Sequence, residues 1–217
     1  MEEFQTSEMT KQVATEALAQ NIQEFLSVFT LRVPTSSDWI QKVEENFPLF
    51  IADHAANERK AAATAMDFVV RYPNHESLVK TASQIAQEEI SHFREVFALM
   101  VQEGYPLLPD EKDVYVRILL SQVRTLPQER FLDRLLVCSL IEVRGIERFE
   151  ILSKEFSREP WRAFYRRLHK SEKSHGWAFY HEATKIFPQS MVDDRMDQLL
   201  DAEARACKQT PITGKFH

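Results

Sequence analysis

Glu89-Ile90-Ser91-His92 and Glu172-Lys173-Ser174-His175 are the stretches on which the reading of this chain turns. Each is a Glu-x-x-His pair inside an apolar helical pattern. Ile85, Glu89, His92 and Val96 share one helix face, and Leu168, Glu172, His175 and Phe179 share another. With 23 Glu and 7 His in 217 residues, chance alone supplies roughly 0.7 such pairs by multiplied frequencies. The count therefore decides little, and placement carries the argument. Both motifs put charged groups where the stripe faces a core.

The preceding helices supply matching carboxylates. In an antiparallel helix hairpin, residues at one level are equidistant from the turn. Glu58 and Glu89 are centred on 73.5, within the break at Pro73-Asn74, and Glu142 and Glu172 on 157, between Phe156 and Pro160. Glu142 also lies on an apolar stripe with Leu135, Ser139 and Phe149. The chain thus repeats Glu…Glu-x-x-His twice, each copy centred on its own turn.

Working outward, helical periodicity continues almost everywhere. Val13, Ala17, Leu18, Ile22, Phe25, Leu26 and Phe29 form an amphipathic run before Pro34, and Thr35-Ser36-Ser37-Asp38 caps a short helix ending near Phe47. Long helices are predicted over about 48–71, 75–103, 128–156 and 160–186, with a short one over 114–123 in the connection of about 25 residues. Ser190-x-x-Asp193 caps a last helix to about Lys208, and the tail from Thr210 is irregular. No alternating strand pattern appears. Two hairpins joined by one long crossover define an all-α, ferritin-like four-helix bundle with extra peripheral helices. We read 1–217 as a single domain: an N-terminal helical extension over 1–35, a core over 48–186, and a C-terminal helix and tail over 187–217.

Composition agrees. Four glycines disfavour turn-rich β folds, and no Gly-rich phosphate loop is present. Two cysteines, Cys138 and Cys207, form no C-x-x-C pair, which excludes a disulfide scaffold or zinc ribbon. Net charge is −6 and mean hydropathy −0.36, so no membrane association is expected, and any nucleic-acid partner needs a local basic patch. The acidic start Met1-Glu2-Glu3 is unlike a secretory signal, and a reducing cytoplasm is the simple expectation.

Four carboxylates and two imidazoles at one level of a core would cost many kcal/mol without partners. Two divalent cations neutralise them, and one Glu from each of two helices plus Glu-x-x-His from the other two is the di-metal carboxylate arrangement of bundles. The expected ligands are Glu58, Glu89, His92, Glu142, Glu172 and His175, with Glu89 and Glu172 bridging and Glu58 and Glu142 terminal. Oxygen donors with one imidazole per metal suit iron or manganese. Exposed or salt-bridged helix residues are the competing reading. His54, one turn before Glu58, either supports that ligand or is a capped or solvated residue near the helix start. Tyr165, two turns before Glu172, either bonds to the site or packs in the core. Cys138 is read as a small core residue. Glu88 points about 100° from Glu89 and is not read as a ligand, and Glu147 fails the level test. From Arg158 to Lys173 six basic residues face two acidic ones. Arg162, Arg166 and Lys170 then either track a phosphate backbone or form a solvated face.

The runs Asp53-His54-Ala55-Ala56-Asn57-Glu58-Arg59-Lys60-Ala61-Ala62, Glu88-Glu89-Ile90-Ser91-His92-Phe93, Ile141-Glu142-Val143-Arg144-Gly145-Ile146-Glu147-Arg148-Phe149 and Ser171-Glu172-Lys173-Ser174-His175 resemble the MiaE family of tRNA hydroxylases over about residues 25–185. Gly145-Ile146 departs from the small polar residue and Cys of that pattern, which bears on substrate range. The resemblance implies two iron ions, O₂ as co-substrate and an external electron donor. The implied reaction is hydroxylation of the isopentenyl side chain of (2-methylthio)-isopentenyladenosine beside the anticodon of tRNA. The partner implied is the anticodon loop, bound by a monomer or dimer, with the basic flank at Arg162, Arg166 and Lys170 holding phosphates. Other readings are a ferritin-like iron or peroxide oxidase, a radical-generating reductase subunit and a metal-free helical adaptor. The chain lacks the rubredoxin-like C-x-x-C module that some such oxidases carry.

Overall fold

The computed structural model describes residues 15–17, 20–22, 25 and 29–216. Its helices are α1 (Asp38–Glu45), α2 (Phe47–Arg71), α3 (Glu76–Glu103), α4 (Val114–Leu120), α5 (Pro127–Glu155), α6 (Glu159–Ile186) and α7 (Gln189–Gln209). The described residues between 15 and 25 are helical as well. Of the expected N-terminal run, Val13, Leu18 and Leu26 lie outside the described residues, while Phe25 and Phe29 are buried against Tyr180 of α6, at 5.0 and 4.8 Å between ring centroids. No strand occurs among the described residues.

Helices α2 and α3 pack as one hairpin and α5 and α6 as another, and α3 and α6 join them. The first turn spans Tyr72–His75 and the second spans Phe156–Arg158. Both are centred where the glutamate spacing places them. Pro48, Pro127 and Pro160 stand in the first turn of their helices, where a missing N–H costs nothing. Helix α3 ends at Gly104, whose φ of 78° is the left-handed cap that glycine adopts without Cβ strain. The crossover follows, and α4 within it is capped by Asp113, which accepts a bond from Val116 N at 2.9 Å.

Two expected caps differ. Thr35 is held instead by Glu147, which accepts from its N–H and hydroxyl at 2.9 and 2.8 Å, so α1 starts without a side-chain cap. Helix α7 begins directly after the extended Pro188, and Asp193 accepts from Tyr180 Oη at 2.6 Å rather than capping.

The apolar core falls into two blocks. One gathers Phe68, Leu78, Ile85, Leu132, Leu136 and Phe179. The other gathers Phe47, Phe50, Val96, Phe149, Trp161 and Leu168. Burial of such side chains stabilises the fold by about 1.5–3 kcal/mol each. Between the blocks lies a layer of buried polar residues, Glu58, Glu89, His92, Glu172 and His175. Among the described residues, no helix is long and apolar enough to cross a membrane.

Candidate metal centre and its cavity

The i,i+3 spacing stacks each Glu-x-x-His pair on one face of its helix. Glu89 and His92 point inward from α3, and Glu172 and His175 from α6. Glu58 enters from α2 and the half-buried Glu142 from α5. His92 Nδ1 lies 2.6 Å from Glu172 Oε1 and 3.8 Å from both Glu58 Oε2 and Glu89 Oε2. His175 Nδ1 lies 2.9 Å from Glu89 Oε1 and 2.6 Å from Glu172 Oε2. Among the described residues these groups form two sets, Glu58/Glu89/His92/Glu172 and Glu89/Glu142/Glu172/His175, with one ligand atom per residue within 4.8 Å of the others. The sets share Glu89 and Glu172.

The donor atoms fit a metal better than they fit each other. Glu89 Oε1, His92 Nδ1, Glu172 Oε1 and His175 Nδ1 are buried and make no hydrogen bond of acceptable geometry, despite the short approaches. Such orphaned groups are costly, and lone pairs aimed at a common point are what a cation satisfies. The outer ring nitrogens are bonded: His175 Nε2 to Glu88 Oε2 at 2.7 Å, and His92 Nε2 to Ser171 Oγ at 3.2 Å. A carboxylate on the far side of an imidazole fixes its orientation and raises its basicity.

The electrostatics agree with the donor geometry. Burial, reinforced by the charges of Glu89 and Glu172, holds the Glu58 and Glu142 carboxyls well above the usual range. Burial also opposes ionisation of Glu89, but His175, His92 and Glu58 outweigh it and hold its carboxyl low. Burial works to lower His92, and Glu172 and Glu89 overcome it, raising the imidazole to about 9. Protons on these groups balance the negative charge, and binding divalent cations displaces them.

Behind Glu58 lies a chain that the sequence left open. His54 is fully buried, with Nε2 2.5 Å from Glu58 Oε1 and Nδ1 3.1 Å from Tyr165 Oη. It is not the solvated residue that its place near the helix start allowed. Burial first, then the charge of His92, lowers it to about 3, so it stands neutral.

A cavity of about 150 Å³ reaches the cluster between α2 and α5, with the four glutamates among its lining residues. Its walls include Ala61, Val116, Ile141, Phe149, Phe179 and Phe216, and Asn57, Lys60, Thr64 and Asp113 supply the remaining polar edge. Cys138 also lines it rather than serving only as core, and burial pushes its thiol up to about 12. Arg162, Arg166 and Lys170 are not part of this lining. Arg162 is paired with Glu159, while Arg166 and Lys170 are exposed.

Three contributors escaped the sequence reading. Glu88 reaches across to His175; the acidic doublet Glu88-Glu89 was its only trace. Arg144, fully buried, donates through Nε and Nη2 to the buried Glu203 of α7 at 2.9 and 2.5 Å, and Tyr115 of α4 donates to the same oxygen at 3.0 Å. Glu203 on the apolar stripe of Met196, Leu199 and Leu200 was the signal in the sequence. Phe216, in the irregular tail, had none.

Bundle, ligand layer and cavity together define a ferritin-like protein with a carboxylate–imidazole centre able to hold two metal ions. The model of the MiaE family, tRNA-(MS[2]IO[6]A)-hydroxylase, matches residues 20–217, and this chain belongs to that family. It is 35% identical over 145 residues to the tRNA 2-(methylsulfanyl)-N(6)-isopentenyladenosine(37) hydroxylase of Pseudomonas putida, covering 67% of this chain and 70% of that one. The Salmonella typhimurium protein of the same name is 26% identical over 194 residues, covering 67% and 72%. A solved Synechococcus structure described as "Protein 43 with aldehyde deformylating oxygenase activity" superposes with a TM-score of 0.82 at 31% identity, covering 86% of this chain and 94% of that one.

Proposed function

We propose that this chain hydroxylates the isopentenyl side chain of (2-methylthio)-isopentenyladenosine beside the tRNA anticodon, using two irons. Glu58, Glu89, His92 and Glu172 would hold one, and Glu89, Glu142, Glu172 and His175 would hold the other. With iron bound, the centre supplies O₂-dependent redox chemistry for an unactivated C–H bond, fed by an external electron donor.

The observation that carries the reading is the cavity: a small apolar pocket with the four glutamates in its lining. An apolar cavity of about 150 Å³ holds a benzene-sized group, so a five-carbon prenyl tail fits and an attached purine does not. The base therefore stays outside, splayed from the loop as RNA recognition commonly requires, against Asn57, Lys60 and Thr64. Phe149, Phe179 and Phe216 exclude water from the reacting carbon. Glu88 and His54 hold His175 and Glu58 in place. Arg166 and Lys170, both exposed on α6, are the cations assigned to phosphate contact.

The test is nucleoside analysis of isopentenylated tRNA incubated with iron-loaded protein, O₂ and a reductant. One oxygen added to the prenyl nucleoside supports the reading. Unchanged nucleosides, with iron bound, contradict it.

A further inference from the structure

Residues 214–216 fold back onto the cavity. Trp39 Nε1 donates to Lys215 O at 3.0 Å, Phe216 N donates to Asp53 Oδ2 at 2.9 Å, and Arg148 donates to Phe216 O. Lys215 also pairs with Glu111 of the crossover. The approach is close: a Cβ on Gly214 would sit 2.6 Å from Asn46 Cβ and 2.7 Å from Lys42 O. So anchored, the Phe216 ring is buried. It stacks on His54 at 5.3 Å and 19° and packs on Phe149 at 4.8 Å. It lines the cavity opposite Gly145, where an added Cβ would meet the ring at an ordinary 3.6 Å.

We propose that Phe216, with Gly145 facing it, is a specificity-determining residue that limits the size of the apolar group the cavity admits. The tail thereby forms a wall of the site, although it is remote in sequence from every ligand. The inference deepens the hydroxylase reading and rests on it for the identity of the natural substrate. Its physical content, a size limit set by one ring, does not depend on tRNA. A methylene-scale change in a pocket shifts discrimination by about 10–200-fold, and removing a phenyl ring is a larger change.

The experiment has two arms on the full chain. First, binding of five-carbon and ten-carbon branched alcohols is measured by calorimetry for the parent, F216A, F216L and G145A. Second, kcat/KM is compared on tRNA carrying a five-carbon prenyl or a ten-carbon geranyl group. The parent is expected to take the five-carbon group and reject the ten-carbon one. F216A and the milder F216L are expected to raise the ten- to five-carbon ratio at least about tenfold. G145A, which adds a methyl without a clash, is expected to weaken five-carbon binding. Should F216A fail to fold, F216L and G145A still move the limit in opposite directions. Unchanged ratios in all folded variants overturn the proposal. A shifted limit for alcohols with no tRNA hydroxylation by the parent leaves Phe216 in its role and removes the tRNA reading instead.

Discussion

Replacing Arg144 by Met leaves Glu203 fully buried, with the Tyr115 hydroxyl at 3.0 Å still donating to it. In the parent the guanidinium satisfies Glu203 twice, the Val33 carbonyl at 2.8 Å, and Glu147. Removing one partner of a buried ion pair costs about 3–5 kcal/mol, because the other charge stays desolvated and uncompensated. In a domain of this size, 1 kcal/mol moves Tm by about 2–4 °C, so R144M should melt roughly 6–20 °C lower. R144M/E203L removes both charges and should recover most of the loss. The assay is urea and thermal unfolding at pH 7 with the iron concentration held constant, since bound metal shifts apparent stability. A loss below about 1 kcal/mol in R144M, or a double variant no better than the single, would refute the view that this pair fastens α4 and α7 to α5 behind the cavity.

Asp133 gives a pH test: burial works to raise its carboxyl, but Arg124 and Arg195 outweigh it and hold it below the usual range. Its stabilising effect is therefore present above the unfolded value of about 3.9 and lost as pH falls through the folded value. The urea midpoint of the parent should drop on acidification through that window, and D133N should show a lower midpoint at pH 7 with a flatter acid limb; equal slopes would contradict this. H54A and E88Q remove groups behind Glu58 and His175, and each should weaken iron binding by about 10–100-fold in a chelator competition without abolishing it. Unaltered affinity in both would mean that neither group supports a ligand. For tRNA, R166A/K170A should reduce the salt dependence of binding by about one unit of slope for each phosphate no longer neutralised, and an unchanged slope would place the phosphates elsewhere.

The bundle was legible because its signals are local and periodic. Pro73-Asn74 and the Phe156–Pro160 break mark the hairpin turns, and the glutamates at equal distances from them do meet in one layer. The two Glu-x-x-His pairs were visible because i,i+3 spacing leaves a helix few choices of face. What escaped depends on contacts between distant segments, for which no period exists. Glu88 was set aside because it points away from Glu89, yet that direction carries it to His175 on the neighbouring helix. His54 read first as a capped or solvated residue near the helix start, and the stacked Phe216 ring of the tail is what covers it. Phe216 belongs to a stretch with no helical pattern, and it enters the cavity through bonds from the tail to Trp39, Asp53 and Arg148, residues that give no hint of it in the sequence.

Metal content per chain tests the central claim most directly, measured on protein loaded with iron beside an E89A/E172A variant whose folding is checked by circular dichroism. Since Glu89 and Glu172 belong to both ligand sets, the account predicts about two irons in the parent and almost none in the variant. A folded parent that binds no iron, or a variant that keeps both, would contradict it.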